Sequence, residues 1–196
     1  MSRQLDSTGL KRLHRGWRRR STGRVALVLD RLGGPFNVGS ILRTAAAFTV
    51  DRLWLVEGTI PPDHPKVAKT ALGSERFLSL DWAATVEEAA GEARADGYRV
   101  VGLELTDDAV PLPELPVGEA TCLVVGHEDR GLSPAGLGAC DLVTFIPQLG
   151  RIGSLNVATA TSIALYDVRR RRWADGPDRP SIDAETAGPA GGQTVR

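Results

Sequence analysis

The sequence has few cysteines and no long apolar run, and each shortage excludes a class of protein. Only two cysteines, Cys122 and Cys140, occur among 196 residues, so neither a disulfide scaffold nor a zinc site with paired-cysteine spacing is expected. Cys122 lies in the apolar stretch TCLVV, which predicts a buried free thiol. No apolar run approaches the roughly 18 residues of a membrane span. The basic N-terminal stretch lacks the apolar core of a secretory signal, so a cytoplasmic protein without membrane or metal partners is expected.

The standard nucleotide-binding motifs are also missing. No G-x-G-x-x-G follows the first predicted strand, and no G-x-x-x-x-G-K-[ST] occurs in the chain. These absences disfavour an NAD-dependent oxidoreductase and a P-loop NTPase. No nucleophile elbow of a Ser/His/Asp hydrolase is visible either.

Acidic and basic residues balance at 24 each, but the basic ones gather at two places. Residues 1–24 hold eight lysines and arginines against one acid, Asp6, and a second run covers 169–172. Arginine clusters of this kind suit a phosphate backbone, and the nearby Trp17 and Trp173 can stack on unpaired bases. The alternative is a solvated face or a disordered arm. The residues expected to bind RNA are Lys11, Arg12, Arg15, Arg18, Arg19 and Arg20.

Five apolar runs rich in valine, leucine and isoleucine predict buried strands of a mostly parallel sheet. Helical patterns separate them, so the fold class expected is α/β with flanking helices. The predicted strands are 25–30, 52–57, 99–105, 121–126 and 142–147. The predicted helices cover 38–49, 84–97 with Thr85 at the N-cap, 133–140 with Ser133 at the N-cap and Pro134 after it, and about 154–171.

Composition divides the chain into three parts. Residues 1–23 form a basic arm in which Leu10, Leu13 and Trp17 have roughly helical spacing. Residues 24–172 form the α/β domain. Residues 173–196 are rich in Gly, Pro and Ala and are expected to be disordered.

The first unusual strand end is DRLGGPFNVGSILRTAAAF. Its glycine-rich turn leads to Asn37, a good N-cap residue. Arg43 is the one charged residue between Leu32 and Val50. It either covers apolar surface or pairs with a core acid, or it serves a function, since the alanines that follow leave room for a ligand to approach.

The second and third unusual ends follow later strands. VVGHEDRGLSP places His127 and Glu128 directly after a strand, where Glu128 is either a simple loop carboxylate or a functional one and His127 is more often structural. FIPQLGRIGSLNVATATSIALYD ends a strand at Pro147 and opens a helix near Ser154 and Asn156. These two side chains either cap that helix or act in a site.

Together, the three segments resemble the motifs of the SPOUT superfamily, in its SpoU/TrmH branch of RNA ribose 2′-O-methyltransferases. The resemblance covers about residues 24–170, and three motifs in order at fitting distances are highly specific. KTALGSE (69–75) is similar to a segment frequent between the first two motifs. The matching positions are Asn37, Gly39, Arg43 and Thr44; Gly126, Glu128, Gly131, Leu132 and Ser133; and Ile146, Pro147, Gly150, Ser154, Leu155, Asn156 and Val157.

The resemblance implies a C-terminal deep trefoil knot, S-adenosylmethionine as cofactor, and a homodimer in which Arg43 of one subunit faces the cofactor of the other. It implies that Arg43 acts on the ribose 2′-hydroxyl and that Asn37 and Glu128 position Arg43 and the loops. Ser154 and Asn156, the other two residues of this catalytic set, would shape the cofactor loop and the target nucleotide. No metal is needed. The residues it implies for cofactor binding are Leu103, Glu104, Gly126, Ile146, Pro147, Gln148, Ser154 and Leu155.

Two departures and two alternatives remain. Gln148 stands where the family usually has Met, and Thr49 where Gly often follows the Phe. The resemblance favours tRNA as substrate, because members acting on ribosomal RNA often carry a separate RNA-binding domain for which this sequence has no room. A ribosomal RNA methyltransferase and a catalytically silent RNA-binding protein are the alternatives; an altered Arg43, Glu128 or Asn156 would have favoured the latter, and all three are intact.

Overall fold

The computed structural model describes residues 3–173, which fall into two compact units. The first unit contains residues 3–22 and 172–173, and the second contains Gly23–Arg171. The expected disordered tail lies, except for Trp173, outside the described residues.

The first unit consists of helix α1, Ser7–Arg20, and a short pairing between the segments that precede and follow the second unit in sequence. Asp6 caps the helix by accepting a hydrogen bond from the Gly9 N–H at 2.7 Å. No residue of α1 is buried. Ser21 forms an antiparallel bridge with Trp173, and the Trp17 and Trp173 rings lie 4.8 Å apart between centroids. The two tryptophans predicted to stack on bases therefore pack on each other.

The second unit is built on a seven-stranded sheet in which every ladder is parallel. Its strands lie in the order β3-β2-β1-β6-β4-β7-β5. All five predicted strands are confirmed. The two edge strands were not predicted, because β3 is interrupted by Asp81 and β5 has only two residues. The strands are β1 Arg24–Leu29, β2 Arg52–Val56, β3 Leu80–Ala83, β4 Arg99–Leu103, β5 Val110–Pro111, β6 Ala120–Val125 and β7 Leu142–Phe145.

Helices cover both faces of this sheet, as an α/β fold requires. Helices α2, α3 and α6 share one apolar cluster with the sheet, and α4 and α5 share the other. None of the helices between residues 3 and 173 is long and apolar enough to cross a membrane. The helices are α2 Pro35–Ala47, α3 Pro65–Ala71, α4 Val86–Ala95, α5 Pro134–Gly138 and α6 Val157–Arg170, with two 3₁₀ turns at Ser74–Phe77 and Leu112–Glu114.

Two predicted helix starts are wrong. Asn37 does not cap α2: the N-cap is Gly34, because Pro35, with its fixed φ, takes the first helical position. Helix α6 starts at Val157 rather than near Ser154, because Asn156 caps it by accepting from the Ala158 and Thr159 N–H groups at 3.0 and 3.2 Å. The predicted caps at Thr85 and Ser133 are confirmed.

In the last third of the sheet, the order of the strands departs from their order along the chain. The chain runs from β4 to the edge at β5, returns to β6 on the far side of β4, and then crosses β4 again to reach β7 between β4 and β5. Since all strands are parallel, the loops that leave β1, β4, β6 and β7 meet at the side of the sheet where the carboxyl ends of the strands lie. These loops contain the three motifs.

Candidate functional site

A cavity of about 340 Å³ lies at the carboxyl ends of the strands, between the loops that follow β4, β6 and β7. Its volume is in the range of small-molecule sites. Its wall combines apolar side chains with Glu104, Glu128, Asp129 and Arg130. The predicted cofactor residues that line it are Leu103, Glu104, Gly126, Ile146, Gln148, Ser154 and Leu155; Pro147 does not contribute to the lining.

A chain of side-chain hydrogen bonds joins the three motifs beside this cavity. The Asn37 side chain donates to the Glu128 carboxylate at 3.0 Å, and its oxygen accepts from the Asn156 side chain at 2.9 Å. Asn156 in turn caps α6. Three segments about 30 and 90 residues apart in sequence are thus fixed relative to one another by three polar side chains, which we call the Glu128–Asn37–Asn156 bridge.

Glu128 is held as a carboxylate. It also accepts from the backbone N–H groups of Gly33 and Gly34 at 3.2 and 2.8 Å. Burial acts to raise the pKa of Glu128, but the hydrogen bonds from Asn37 and from backbone N–H groups outweigh it, so the pKa lies below its ordinary value. The ionised oxygens therefore act as acceptors that order the loop after β1.

Glycines let the loops around the cavity approach closely. A Cβ on the buried Gly126 would collide with the backbone of Gly131 and Leu132. Gly131 has φ +64°, and a Cβ there would collide with the Glu104 carboxylate. That carboxylate accepts from the N–H groups of Leu132 and Leu105 at 2.9 and 3.0 Å. The motif positions Gly126 and Gly131 are therefore glycines for a direct steric reason, which the sequence alone did not give.

Arg43 stands apart from this assembly. Its side chain is exposed, it does not line the cavity, and it has no hydrogen bond or ion pair with any other residue between 3 and 173. The pairing with a core acid that the sequence left open is therefore absent from the described part of the chain. Arg43 follows Asn37 by six residues, which turns its side chain by about 120° away from that of Asn37 around α2.

The exposed side of α2 is a stripe that contains Arg43. Phe36, 58% exposed, Ser40, Arg43 and Ala47 recur at helical spacing along it, while the opposite side of the helix is buried. Thr44 lies beside the stripe and its hydroxyl is 3.2 Å from that of Ser162 on α6. The exposed surface of α6 is therefore the direct neighbour of the stripe.

The remaining predicted residues divide between the cavity and the surface. Ser154 lines the cavity but is not the cap of α6. His127 also lines it, and its Nδ1 accepts from the Asp129 N–H at 3.2 Å, which is a loop-ordering contact. In the basic arm, Lys11, Arg12, Arg15, Arg18 and Arg19 are exposed, whereas Arg20 is half-buried with its guanidinium 4.8 Å from the Trp17 ring centroid.

The sequence analysis missed that Glu128 accepts hydrogen bonds from the backbone of Gly33 and Gly34. The paired glycines after β1 are the feature that could have indicated it. Also missed was the buried Asp30, which accepts from Arg31 Nε at 3.0 Å and lies 3.4 Å from the Ser133 hydroxyl. Among residues 3–173, no group of three or more His, Cys, Asp or Glu side chains is placed to hold a metal ion.

The amino-acid sequence of this chain matches a protein-family model. Residues 24–166 match the model described as the SpoU rRNA Methylase family. The 23S rRNA (guanosine(2553)-2′-O)-methyltransferase RlmP of Bacillus subtilis is 34% identical over 149 residues, which cover 76% of this chain and 59% of that protein. The tRNA (guanosine(18)-2′-O)-methyltransferase of Escherichia coli is 28% identical over 153 residues, which cover 78% and 66%.

Solved structures agree with the match. The AdoMet-bound rRNA methyltransferase of Sinorhizobium meliloti has a TM-score of 0.71 and 31% identity to this chain, covering 78% of it and 58% of that chain. The chain spans 55 to 66% of the length of the curated relatives it matches, so those proteins extend beyond the matched part.

Proposed function

Since the chain belongs to the SpoU rRNA methylase family, we propose that it methylates a ribose 2′-hydroxyl of RNA with S-adenosylmethionine as methyl donor. The observation that carries this proposal is the Glu128–Asn37–Asn156 bridge at the rim of the cavity. It joins the three motifs that the sequence singled out.

The cavity fits a cofactor of this kind. Close backbone approach at Gly126 and Gly131 and the apolar side chains of Leu103, Ile146 and Leu155 form walls suited to a flat ring system. Carboxylates on the wall suit a cationic ligand, and Arg130 suits a carboxylate. S-adenosylmethionine supplies an electrophilic methyl group when bound. Gln148 in place of the usual Met gives this wall an amide that can donate a hydrogen bond.

Arg43 has the properties of a group that meets RNA. An exposed guanidinium without a described partner is available to a phosphate, and it presents a planar fork of donors. It would hold the RNA phosphate next to the target ribose and stabilise charge developing on the 2′-oxygen. A guanidinium keeps its proton in proteins, and a bound phosphate favours the cation further. Charge stabilisation is therefore the role we assign, and the hydroxyl proton would pass to solvent water as the methyl group leaves the sulfonium for the 2′-oxygen. Proton removal by Arg43 is the alternative.

The protein acts as a homodimer in this proposal. Arg43 does not line the cavity of its own chain, which supports a dimer in which the partner chain brings its Arg43 to that cavity. The exposed stripe of α2 adjoins an exposed apolar surface on α6 that includes Ile163 and Tyr166. Such a continuous surface on two packed helices is suited to self-association about a twofold axis.

The crossing of the chain at β4, β5 and β7 supports the trefoil knot that the family implies. The end of α6 is fastened to the connection that follows β5, because Arg171 donates to the carbonyls of Leu112 and Leu115. Asp167 on α6 pairs with the same arginine. We propose that this connection and α6 form the knotted segment, and that the knot holds the loop after β7 at the cavity.

We propose tRNA as the first substrate class and ribosomal RNA as the second. Relatives named for both classes match the same part of the chain, and the tRNA enzyme is matched over the larger share of its length. The exposed basic face of α1 suits either RNA. RNA of both classes fits a cytoplasmic location.

The test is methyl transfer from labelled S-adenosylmethionine to unmodified total tRNA and, separately, to unmodified ribosomal RNA. After the labelled nucleotide has been mapped, the same RNA is prepared with a 2′-deoxy nucleotide at that position. Label in tRNA that disappears in the 2′-deoxy RNA supports the proposal. Label in ribosomal RNA alone supports ribose methylation but replaces tRNA with ribosomal RNA as the substrate class. Label that persists in the 2′-deoxy RNA, or RNA binding without any label, contradicts ribose methylation.

A further inference from the structure

An exposed aromatic ring lies outside the site described above, on the 3₁₀ turn Ser74–Phe77 that follows α3. Phe77 is 68% exposed, and Leu72, five residues earlier, is also exposed. The Arg76 guanidinium lies over the Phe77 ring, 4.7 Å from its centroid. We call this pair the Arg76–Phe77 platform. A large ring and a planar cation stacked at the surface form a feature that the folded core does not need.

The backbone leading to this platform is in a conformation that its side chains do not favour. Leu72 has φ +53°, in the left-handed region that glycine normally occupies, and Gly73 follows with φ +75°. The two residues turn the chain sharply from α3 into the 3₁₀ turn. Strain of this kind at a non-glycine residue is concentrated at functional segments.

Positive charge surrounds the platform. Lys66 and Lys69 lie on the exposed face of α3, one turn apart, and neither has an ion pair within residues 3–173. Arg76 likewise has no ion pair there. The acids of the same segment are Asp63, before α3, and Glu75, which is half-buried. The exposed groups nearest the ring in sequence are therefore mainly cations.

This combination favours RNA over a second protein chain as the occupant. Phenylalanine and arginine also occur where proteins meet, but lysines are depleted there, so Lys66 and Lys69 decide between the two occupants. Cations beside an aromatic ring are typical of single-stranded nucleic-acid surfaces. A base can stack on the ring or on the guanidinium plane, and the lysines can contact the adjoining phosphates. The surface therefore suits an unpaired nucleotide and its neighbours.

The platform is also fixed relative to Arg43. Gly39 on α2 allows α3 to approach so closely that an added Cβ would lie 2.7 Å from the Val67 carbonyl oxygen and 2.8 Å from the Thr70 Cβ. The 3₁₀ turn packs on α2 as well. A nucleotide held on the platform is thus placed in a constant relation to the helix that carries Arg43.

From these observations we infer that the Arg76–Phe77 platform, with Lys66 and Lys69, binds an unpaired nucleotide of the RNA substrate at a distance from the target ribose. The inference rests on the proposed function for the identity of the substrate. It predicts a contact that sets RNA affinity and leaves the cofactor site unchanged.

The test measures RNA binding directly, by fluorescence anisotropy of a labelled single-stranded RNA and of the same RNA as a duplex. Phe77→Ala should weaken single-strand binding about 5- to 100-fold, in line with the loss of one base–aromatic stack. Phe77→Leu, which keeps apolar area but has no aromatic face, should lose nearly as much, and Phe77→Tyr should retain binding. Arg76→Ala should weaken binding more than Arg99→Ala, a matched loss of one exposed arginine at β4.

Cofactor affinity, measured by calorimetry, and the melting temperature should stay at the wild-type values in every variant. Wild-type RNA affinity in both Phe77→Ala and Phe77→Leu overturns the inference. A changed oligomeric state in Phe77→Ala with unchanged RNA affinity also overturns it and assigns the surface to a second copy of the chain. Weakened RNA binding in a protein that transfers no methyl group would support the platform while contradicting the proposed function.

Discussion

Thr49 occupies a backbone conformation that costs stability. It follows the C-cap of α2 with φ +51°, and a β-branched residue in the left-handed region is strained. Glycine is the common residue at this position of a helix end. The sequence flagged Thr49 as a departure from the family, and the structure gives the departure a physical meaning.

We predict that Thr49→Gly stabilises the protein by about 0.5 to 1 kcal/mol, the relief of left-handed strain less the added entropy of an unfolded glycine. Chemical denaturation gives the free energy of unfolding. Thr49→Asn should lie between glycine and wild type, because asparagine tolerates this region. A loss of stability in Thr49→Gly would show that the threonine side chain, rather than its backbone, matters here.

We predict that Glu128→Gln lowers the free energy of unfolding by about 1 to 3 kcal/mol at pH 7, because N–H donors that now face a carboxylate would face an amide. The pKa of Glu128 is lowered in the folded state. Its stabilising effect is therefore complete above the ordinary carboxyl pKa and is lost as the pH falls through the lowered one.

The difference between wild type and Glu128→Gln should accordingly shrink as denaturation is repeated below pH 4.5, the ordinary value for this carboxyl. Glu57→Gln, which changes an exposed carboxylate after β2, is the matched control and should have little effect. A difference that is constant from pH 7 to acid would contradict the account of a charged acceptor.

Among the helices and strands, one buried arginine on α6 holds the C-terminal end of α2 in place through hydrogen bonds. Arg169 is 4% exposed and donates to the carbonyls of Phe48, Gly23 and Thr49, at 2.9 and 3.0 Å for the first two. It also pairs with Asp51 at 3.3 Å. The helix that carries Arg43 is thus fixed at its start by Asn37 and at its end by Arg169.

Arg169→Met should destabilise the protein by about 2 to 4 kcal/mol, because three carbonyls in partly buried hydrogen bonds lose their donor and Asp51 loses its partner. Arg170→Met removes the neighbouring arginine, whose ion pair with Asp167 is largely exposed on the arginine side, and should cost less than about 1 kcal/mol. Thermal unfolding of both variants checks this order. Equal losses of stability in the two variants would show that the contacts of Arg169 stabilise the fold no more than those of Arg170.

The elements differ in how well sequence predicted them. The five interior strands were predictable because burial on both faces requires continuous apolar runs. The edge strands β3 and β5 were not, since neighbours rather than composition create them. The start of α2 was misplaced because Asn37 has the chemistry of a cap, yet Pro35 two residues earlier decides the first turn.

The site was predictable only in part for a related reason. The residues of the three motifs could be chosen one by one, but their hydrogen bonds run between segments far apart in the chain. No local pattern states that Asn37 meets both Glu128 and Asn156. The isolation of Arg43 on the outer side of α2 was equally invisible until the helix phase was fixed.

At the scale of the whole molecule, the proposed dimer makes a prediction about shared sites. Ser154→Trp, at an exposed position on the cavity wall, should fill the cavity without entering the core. A chain with this change still carries Arg43, and Arg43→Ala still carries an open cavity. If each site combines one cavity with the partner's Arg43, a mixed dimer has one working site of two.

Mixing the two inactive variants after reversible dissociation should therefore restore about a quarter of wild-type methyl transfer, as random pairing in a twofold dimer gives mixed dimers half of the time. Each variant mixed with itself is the control and should stay inactive. No recovery in a sample shown to contain mixed dimers would place Arg43 at the cavity of its own chain.

Arg43 acts on RNA in the proposed methylation, and replacing it in a methyl-transfer assay shows whether it does. Transfer of labelled methyl groups from S-adenosylmethionine to unmodified tRNA and ribosomal RNA is measured for wild type, Arg43→Ala and the control Arg99→Ala, with cofactor binding followed by calorimetry. We expect Arg43→Ala to lose at least about 100-fold in rate, as for other losses of transition-state charge stabilisation, with cofactor affinity unchanged and Arg99→Ala near wild type. Undiminished transfer in Arg43→Ala would contradict the claim.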